Sequence, residues 1–264
     1  MPKILTPDQI QAYHQDGVLF PLPVLSREEV AYFRSLHDEF DSYLGRKPKS
    51  TDKGEWHLHF KWACDLATHP KVLDAVEDII GPDILIHSST FFSKYAKDEM
   101  FISWHQDSHY WRLSEPRLVS AWIALTGSDV DNGCLRVLPG TQTRRYEHRE
   151  QRDENNMLGK GLTVSEYLDV SAAVDIVLQP GQMSLHHANI IHGSNPNTST
   201  APRIGFAVRY VSTAVKQERG HHHVILARGE DEYHHYNLQD KPTAGLEQGM
   251  IAMRNYESNP SNNF

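Results

Sequence analysis

From residue 83 onward the chain is built of short β-branched and aromatic runs broken by turn dipeptides, and this rhythm restricts its fold more than any other feature. Runs at 84–95, 101–106, 118–126, 134–138, 173–178, 182–188 and 203–213 have strand texture. Asn132-Gly133, Pro139-Gly140 and Pro180-Gly181 supply turns between them. Several strands at such short spacing predict a sandwich or barrel. The alternation inside one run sharpens this. In 203–213, Ile204, Phe206, Val208 and Tyr210 share one face and belong in a core, while Arg203, Gly205, Ala207 and Arg209 share the other. Two inward arginines without anionic partners would be costly, so their face is predicted to line a cavity that takes an anion. In 118–126, Val119, Ala121, Ile123 and Leu125 make the apolar face, and Ser120, Trp122, Ala124 and Thr126 turn toward the same cavity.

The first 81 residues have a different periodicity, mostly helical. Thr6-Pro7-Asp8-Gln9 is a capping box with proline at the first helical position, and Gly17 is its stop. Ser26-Arg27-Glu28-Glu29 is a second box; Val30, Phe33, Leu36, Phe40 and Leu44 follow at helical spacing up to Gly45. After a polar loop at 46–55, Pro70 opens a third helix that buries Val72, Leu73, Val76, Ile79 and Ile80 and ends at Gly81. These helices are predicted to pack on one sheet, giving one mainly β domain over 1–264 with a helical part at 1–81. Residues 143–172 interrupt the strand rhythm with charged and polar sequence and a short helix at VSEYL; an insertion of this kind predicts a lid or binding loop. Residues 254–264 read as a frayed tail.

Charge and cysteine usage remove several classes of function. The net charge is −8, from 26 basic and 34 acidic residues, which is the wrong footprint for a nucleic-acid or anionic-membrane binder. No apolar run approaches the ~18 residues of a membrane span, and the N-terminus lacks the apolar core of a signal peptide. Cys64 and Cys134 are then expected to be free buried thiols in a reducing cytoplasm.

The chain carries 17 histidines, and a few of them have ligand spacing. In Trp104-His105-Gln106-Asp107, residues two apart on an extended backbone point the same way, so His105 and Asp107 converge. His192 lies 87 residues later, in His192-Gly193-Ser194-Asn195, and Arg203 lies 11 beyond it. Two histidines and one carboxylate form the facial triad of non-haem iron(II) oxygenases, whose open positions admit a 2-oxo acid and dioxygen. The far carboxylate of that acid suits a planar bidentate cation, here Arg203. A non-redox cupin-like isomerase or a binding module would need no such clamp. His186 and His187 also precede His192, which is preferred as the distal ligand. His57 and His59 read as structural or surface residues, and His221, His222 and His223 as a solvated loop.

The residues WHQD at 104–107, AWIAL at 121–125, DNGCLRVLPGTQ at 131–142, QPGQ at 179–182 and HGSNPN…PRIGFAVRY at 192–210 resemble the phytanoyl-CoA dioxygenase family of iron(II)- and 2-oxoglutarate-dependent oxygenases. The resemblance covers roughly residues 83–213. It implies a double-stranded β-helix, a cupin-like jelly roll. It implies His105, Asp107 and His192 as the iron ligands and catalytic centre. It places Arg203 on the 2-oxoglutarate carboxylate, Trp122 against the co-substrate, Ser194 near the distal carboxylate and Lys94 on a pocket-lining strand. The implied reaction uses dioxygen, hydroxylates an unactivated C–H bond of a small molecule and releases succinate and CO2. Arg209, His109 and Gln106 are expected to face that substrate, of polar or anionic character, free or tethered to coenzyme A or a carrier protein. FFSKY, NGCL and GFAVRY also resemble the halogenating branch of the family, but that branch has alanine or glycine where this chain has Asp107.

Overall fold

The helices begin where their side chains can close the free N–H groups of a first turn. Thr6 Oγ1 accepts the Gln9 N–H at 3.2 Å and the Gln9 side chain accepts the Thr6 N–H at 2.9 Å, which opens α1 (Pro7–Asp16). Ser26 and Glu29 close the same reciprocal pair for α2 (Arg27–Leu44). Gly17 and Gly45 end the two helices in the left-handed conformation. Short helices α3 (Trp56–His59) and α4 (Lys61–Ala67) follow, then α5 (Pro70–Ile80), α6 (Ser108–Trp111) and α7 (Leu246–Ser258). This computed structural model describes residues 2–45, 55–111, 113–115, 117–159, 161–217 and 223–258; most of the polar loop at 46–55, Arg112, His221, His222 and the end of the expected tail lie outside them.

The strands are β1 (Val18–Pro23), β2 (Ile84–Lys94), β3 (Ile102–His105), β4 (Leu118–Ala124), β5 (Leu135–Leu138), β6 (His148–Glu150), β7 (Leu162–Val164), β8 (Val174–Ile176), β9 (Gln182–His187), β10 (Ile191–Ser194), β11 (Arg203–Ser212), β12 (His223–Arg228) and β13 (Asn237–Leu238). Seven of them form a large sheet in the order β1-β9-β4-β11-β2-β12-β13, antiparallel except for the β12–β13 edge. Four form a smaller antiparallel sheet, β3-β10-β5-β8. Phe92, Trp122, Ala124 and Ala207 from the large sheet pack with Ile102, Leu135, Val137 and Ile176 from the small one. Two antiparallel sheets closed face to face in this way make a jelly roll, mainly β with helices leading it.

The outer face of the large sheet carries the main core. Ile204, Phe206, Val208 and Tyr210 of β11, with Val119, Ala121 and Ile123 of β4, are buried against Phe33 and Phe40 of α2, Trp56, Phe60 and Trp62 around α3 and α4, and Val72, Leu73 and Val76 of α5. Phe91 stacks on Phe206 at 4.4 Å and Phe40 meets Trp56 at 4.3 Å. Aromatic pairs of this kind add about 0.5–1.5 kcal/mol beyond the area they bury. The helices therefore cover the apolar face and leave the polar face of the same strands to the space between the sheets, as the alternation predicts.

Some elements have little sequence signal. β1 is an edge strand whose two prolines mask its strand character, and prolines are tolerated there because one side of an edge strand makes no ladder. β10 is only four residues long, too short for alternation to stand out. β12, β13 and most of α7 lie in 223–253, where no element is predicted; His223 opens β12 instead of lying in a loop, and α7 runs to Ser258, into the expected tail. The helix expected at VSEYL is absent: Val164 pairs with His148 in the β6–β7 ladder and Glu166 is drawn to Arg144 at 2.9 Å. No helix among the described residues is long and apolar enough to cross a membrane.

Burial pushes His37, His59 and His187 each down to about 4 in the folded chain, against ~6.5 in an unfolded one. Between those values the unfolded state takes up protons that the folded state refuses, so stability rises with pH across the window. The expected outcome is a urea midpoint that is level above pH ~6.5 and falls steadily toward pH ~4. Tryptophan fluorescence at fixed ionic strength measures it, and a flat midpoint would mean that these rings accept protons in place.

Candidate metal centre

The small sheet brings the two expected histidines side by side. His192 on β10 is the direct antiparallel partner of His105 at the end of β3, and their rings lie 4.1 Å apart. Each ring is turned by the same device. His105 Nδ1 meets the carbonyl of Ser103 at 2.9 Å, and His192 Nδ1 meets that of Ile190 at 3.1 Å. A hydrogen on Nδ1 leaves the Nε2 lone pair free to ligate. Both Nε2 atoms face Asp107 Oδ1, at 3.5 and 3.8 Å. The three ligand atoms lie within 4.8 Å of one another and all three residues are buried. Two imidazole nitrogens and one carboxylate oxygen on one side, with the other side open, suit iron(II). Asp107 is not on the strand with His105 but in the turn after it, so its direction is set by tertiary contacts rather than by alternation alone.

Those contacts come from the large sheet. Ser120 Oγ donates to Asp107 Oδ2 at 2.9 Å, Arg209 Nε lies 3.6 Å from the same oxygen and His186 Nε2 lies 3.9 Å from it. Burial alone would raise the Asp107 pKa; Arg209, then His105 and His192, outweigh it and hold the carboxyl well below its usual range. Burial and the neighbouring His105 push His192 well below its own, so its ring is neutral and able to ligate. His186 is a site residue that the sequence reading passed over. Its signal was present in β9: Met183 and Leu185 face the core, which turns Ser184 and His186 inward.

A second polar group lies along the same cavity. Arg203 is 1% exposed, and its Nε and Nη2 have no hydrogen-bond partner. Its cross-strand neighbour Lys94, also fully buried, donates to Ser194 Oγ at 2.6 Å, to the Asn195 carbonyl, and to the Gly133 carbonyl at 3.4 Å. Burial, and then Arg203 beside it, push Lys94 down to about 6; burial presses Arg203 down to about 10. A buried guanidinium with unpaired N–H groups fits a bound carboxylate such as that of 2-oxoglutarate. Trp122 forms the wall, with Arg203 5.2 Å from its ring. The tight turn at Gly133, φ +73°, brings the chain so near the end of β10 that a Cβ there would stand 2.2 Å from the Asn195 carbonyl oxygen.

The cavity is lined by His105, His192, His186, Arg203 and Arg209, with Phe92, Trp122 and Ser194. The structure therefore brings His105, Asp107, His192, Arg203, Trp122, Ser194, Lys94 and Arg209 together. It does not bring Gln106 with them: its amide donates to the carbonyls of Arg144 and Asn189 and accepts the Tyr146 N–H, so it is committed to backbone and not turned to a substrate. His109 is exposed and stacks on His148 at 4.3 Å. Nor do residues 143–172 hang free, since His148 Nε2 accepts the Gln106 N–H at 3.0 Å and ties this insertion to the turn between two of the ligands.

Comparison with known proteins bears on this geometry. The model of the family described as Phytanoyl-CoA dioxygenase (PhyH) matches residues 13–205. The peroxisomal phytanoyl-CoA dioxygenase of Bos taurus is 31% identical over 139 residues, which is 50% of this chain and 41% of that protein. The chain thus covers less than half the length of that relative. The non-heme monooxygenase ThoJ, in an apo structure, superposes with a TM-score of 0.81 at 26% identity, over 97% of this chain and 98% of that one. A structure of CytC3 with Fe(II) and alpha-ketoglutarate superposes with a TM-score of 0.64 at 25% identity, over 89% and 93%.

The Trp122 wall depends on a glycine opposite. A Cβ on Gly205 would come within 1.9 Å of Trp122 Cζ2. Gly205→Ala must therefore displace the indole, and the expected cost is about 1–3 kcal/mol, read as a lower urea midpoint. An unchanged midpoint would show that the ring moves aside freely.

Proposed function

Because the chain belongs to the phytanoyl-CoA dioxygenase family, we propose that it is an oxygenase that hydroxylates an unactivated C–H bond of a small molecule. The family uses iron(II), 2-oxoglutarate and dioxygen. In this reading His105, Asp107 and His192 hold the metal through Nε2, Oδ1 and Nε2. When bound, the metal and 2-oxoglutarate let dioxygen place one oxygen atom in the C–H bond while the co-substrate leaves as succinate and CO2. The residues of the chain bind and orient. Arg203 takes the far carboxylate of 2-oxoglutarate as a bidentate fork, Lys94 and Ser194 fix the end of that subsite, and Trp122 walls it. The observation that carries the reading is the pairing of the His-Asp-His cluster with the buried, unpartnered guanidinium of Arg203 in one cavity. A binding module or a non-redox isomerase has no use for that second charge.

Hydroxylation rather than halogenation is supported by Asp107, whose Oδ1 faces the histidines where a halide would have to sit. The substrate is proposed to be a polar or anionic small molecule. The free, buried Cys64 and Cys134 support a reducing compartment such as the cytoplasm.

A metabolite screen scored by substrate-dependent succinate release, followed by mass spectrometry of the product, tests the activity; a gain of one oxygen atom is expected, and a chlorinated main product in chloride would overturn the hydroxylase reading. His105→Ala and His192→Ala are expected to abolish iron(II) binding by calorimetry with the fold retained by circular dichroism. Arg203→Lys keeps the charge and loses the fork, so the apparent KM for 2-oxoglutarate is expected to rise at least about tenfold, roughly 1.4 kcal/mol, with metal binding unchanged. An unchanged KM would move the clamp elsewhere.

A further inference from the structure

Arg209, Ser120 and His186 stand on one rung of the large sheet. Arg209 on β11 is the direct cross-strand partner of Ser120 on β4, and Ser120 is the direct partner of His186 on β9. All three converge on a single atom of the opposite layer, Asp107 Oδ2, at 3.6, 2.9 and 3.9 Å. The other oxygen, Oδ1, is left facing His105 and His192. We propose that this rung is a built cradle for the carboxylate of the metal centre, in which Ser120 and Arg209 are positioning residues that occupy Asp107 Oδ2 and leave Oδ1 as a single oxygen donor. The inference rests on the metal-centre reading above and adds to it a statement about denticity and preorganisation.

Three physical points support it. A carboxylate offers two oxygens, and a metal with free positions tends to draw both unless one is engaged elsewhere. Each oxygen here has its own set of partners, on its own sheet. Asp107 also sits in a turn, where no ladder holds it, so its aim has to be supplied from outside the turn. Ser120 supplies it from a strand paired on both sides and fully buried, with 0% exposure. Arg209 sets an opposite charge 3.6 Å from Asp107 Oδ2, so the buried carboxylate has a counter-charge from within the chain. The guanidinium carbon lies 5.7 Å from the ring centroids of both Phe92 and Trp111, so aromatic faces flank the charge on its way to Asp107. This assigns Arg209 to the metal carboxylate instead of the substrate contact its strand position suggested.

The test separates the hydroxyl from its bulk. Thr and Val have nearly the same volume, and only Thr keeps the oxygen, so Ser120→Thr and Ser120→Val are compared, with Ser120→Ala as a third variant that introduces no bulk. Anaerobic titration with Co(II) gives an affinity and a visible spectrum that reports coordination number. Wild type and Ser120→Thr are expected to share one spectrum and one affinity. Ser120→Ala and Ser120→Val are expected to bind about 10–100-fold more weakly, with the band shifted as Asp107 turns both oxygens to the metal. Arg209→Gln is expected to weaken binding in the same direction. Folding of each variant is followed by circular dichroism, and a general packing defect would weaken Thr and Val alike. Equal affinity and equal spectra for wild type and Ser120→Ala would overturn the proposal while leaving the metal centre intact; failure of the wild type to bind Co(II) at all would overturn the metal-centre reading, and this proposal with it.

Discussion

A carboxylate buried between two sheets stays ionised only if hydrogen-bond donors and opposite charge face it, and the architecture of this chain is arranged around that requirement. Asp107 lies in a turn of one layer, and the groups that stabilise it, Ser120, Arg209 and His186, lie on the other. The penalty for burying it unpaired would be several kcal/mol. The two layers are thus tied together by a polar contact as well as by the packing of Ile102, Leu135 and Val137 on Phe92, Trp122 and Ala207. The same balance is left open at Arg203, whose guanidinium is buried beside Lys94 with two nitrogens unpartnered. The Asp107 carboxylate has partners within the chain, and the Arg203 guanidinium has two nitrogens without one.

The helical layer makes the polar face affordable. β4 and β11 each carry one apolar face and one that bears polar groups, and a sheet of this kind is stable only when the apolar face is covered. α2, α4 and α5, with the aromatic residues Phe40, Trp56, Phe60 and Trp62, cover it. The inner face is released from supplying most of the hydrophobic stabilisation and carries Ser120, Arg203 and Arg209. The metal centre depends on α2, α4 and α5 through the strands that those helices cover.

Residues 143–172 are anchored at their start to the segment that carries His105 and Asp107. Through His148, Tyr146 and Arg144 they bind Gln106, the residue between His105 and Asp107, and Gln106 also holds the carbonyl of Asn189 in the turn that leads to His192. The hydrogen bonds of one side chain join the three chain segments that meet at the centre.

The sequence by itself determined the capped helices and the faces of β4 and β11. Capping boxes and period-two alternation are local, and burial merely selects between the two faces they define. It also marked His105, Asp107, His192 and Arg203, because their residue types and order are unusual together. It could not place what depends on layers meeting. β10 is too short to show alternation, β1 hides behind prolines, and the VSEYL segment has helical composition but is held extended by His148 and Glu147. Gln106 carried a plausible substrate-facing position and is committed to backbone instead, while Arg209 lines the cavity and lies 3.6 Å from Asp107. His186, Ser120 and Arg209 are distant in sequence and become one rung only when β9, β4 and β11 pair; strand order is set by long-range hydrogen bonding and shared core, not by any window of the chain. For that reason the His105-Asp107-His192 cluster was legible in the sequence, and the groups that meet Asp107 from the other sheet were decided by the tertiary structure.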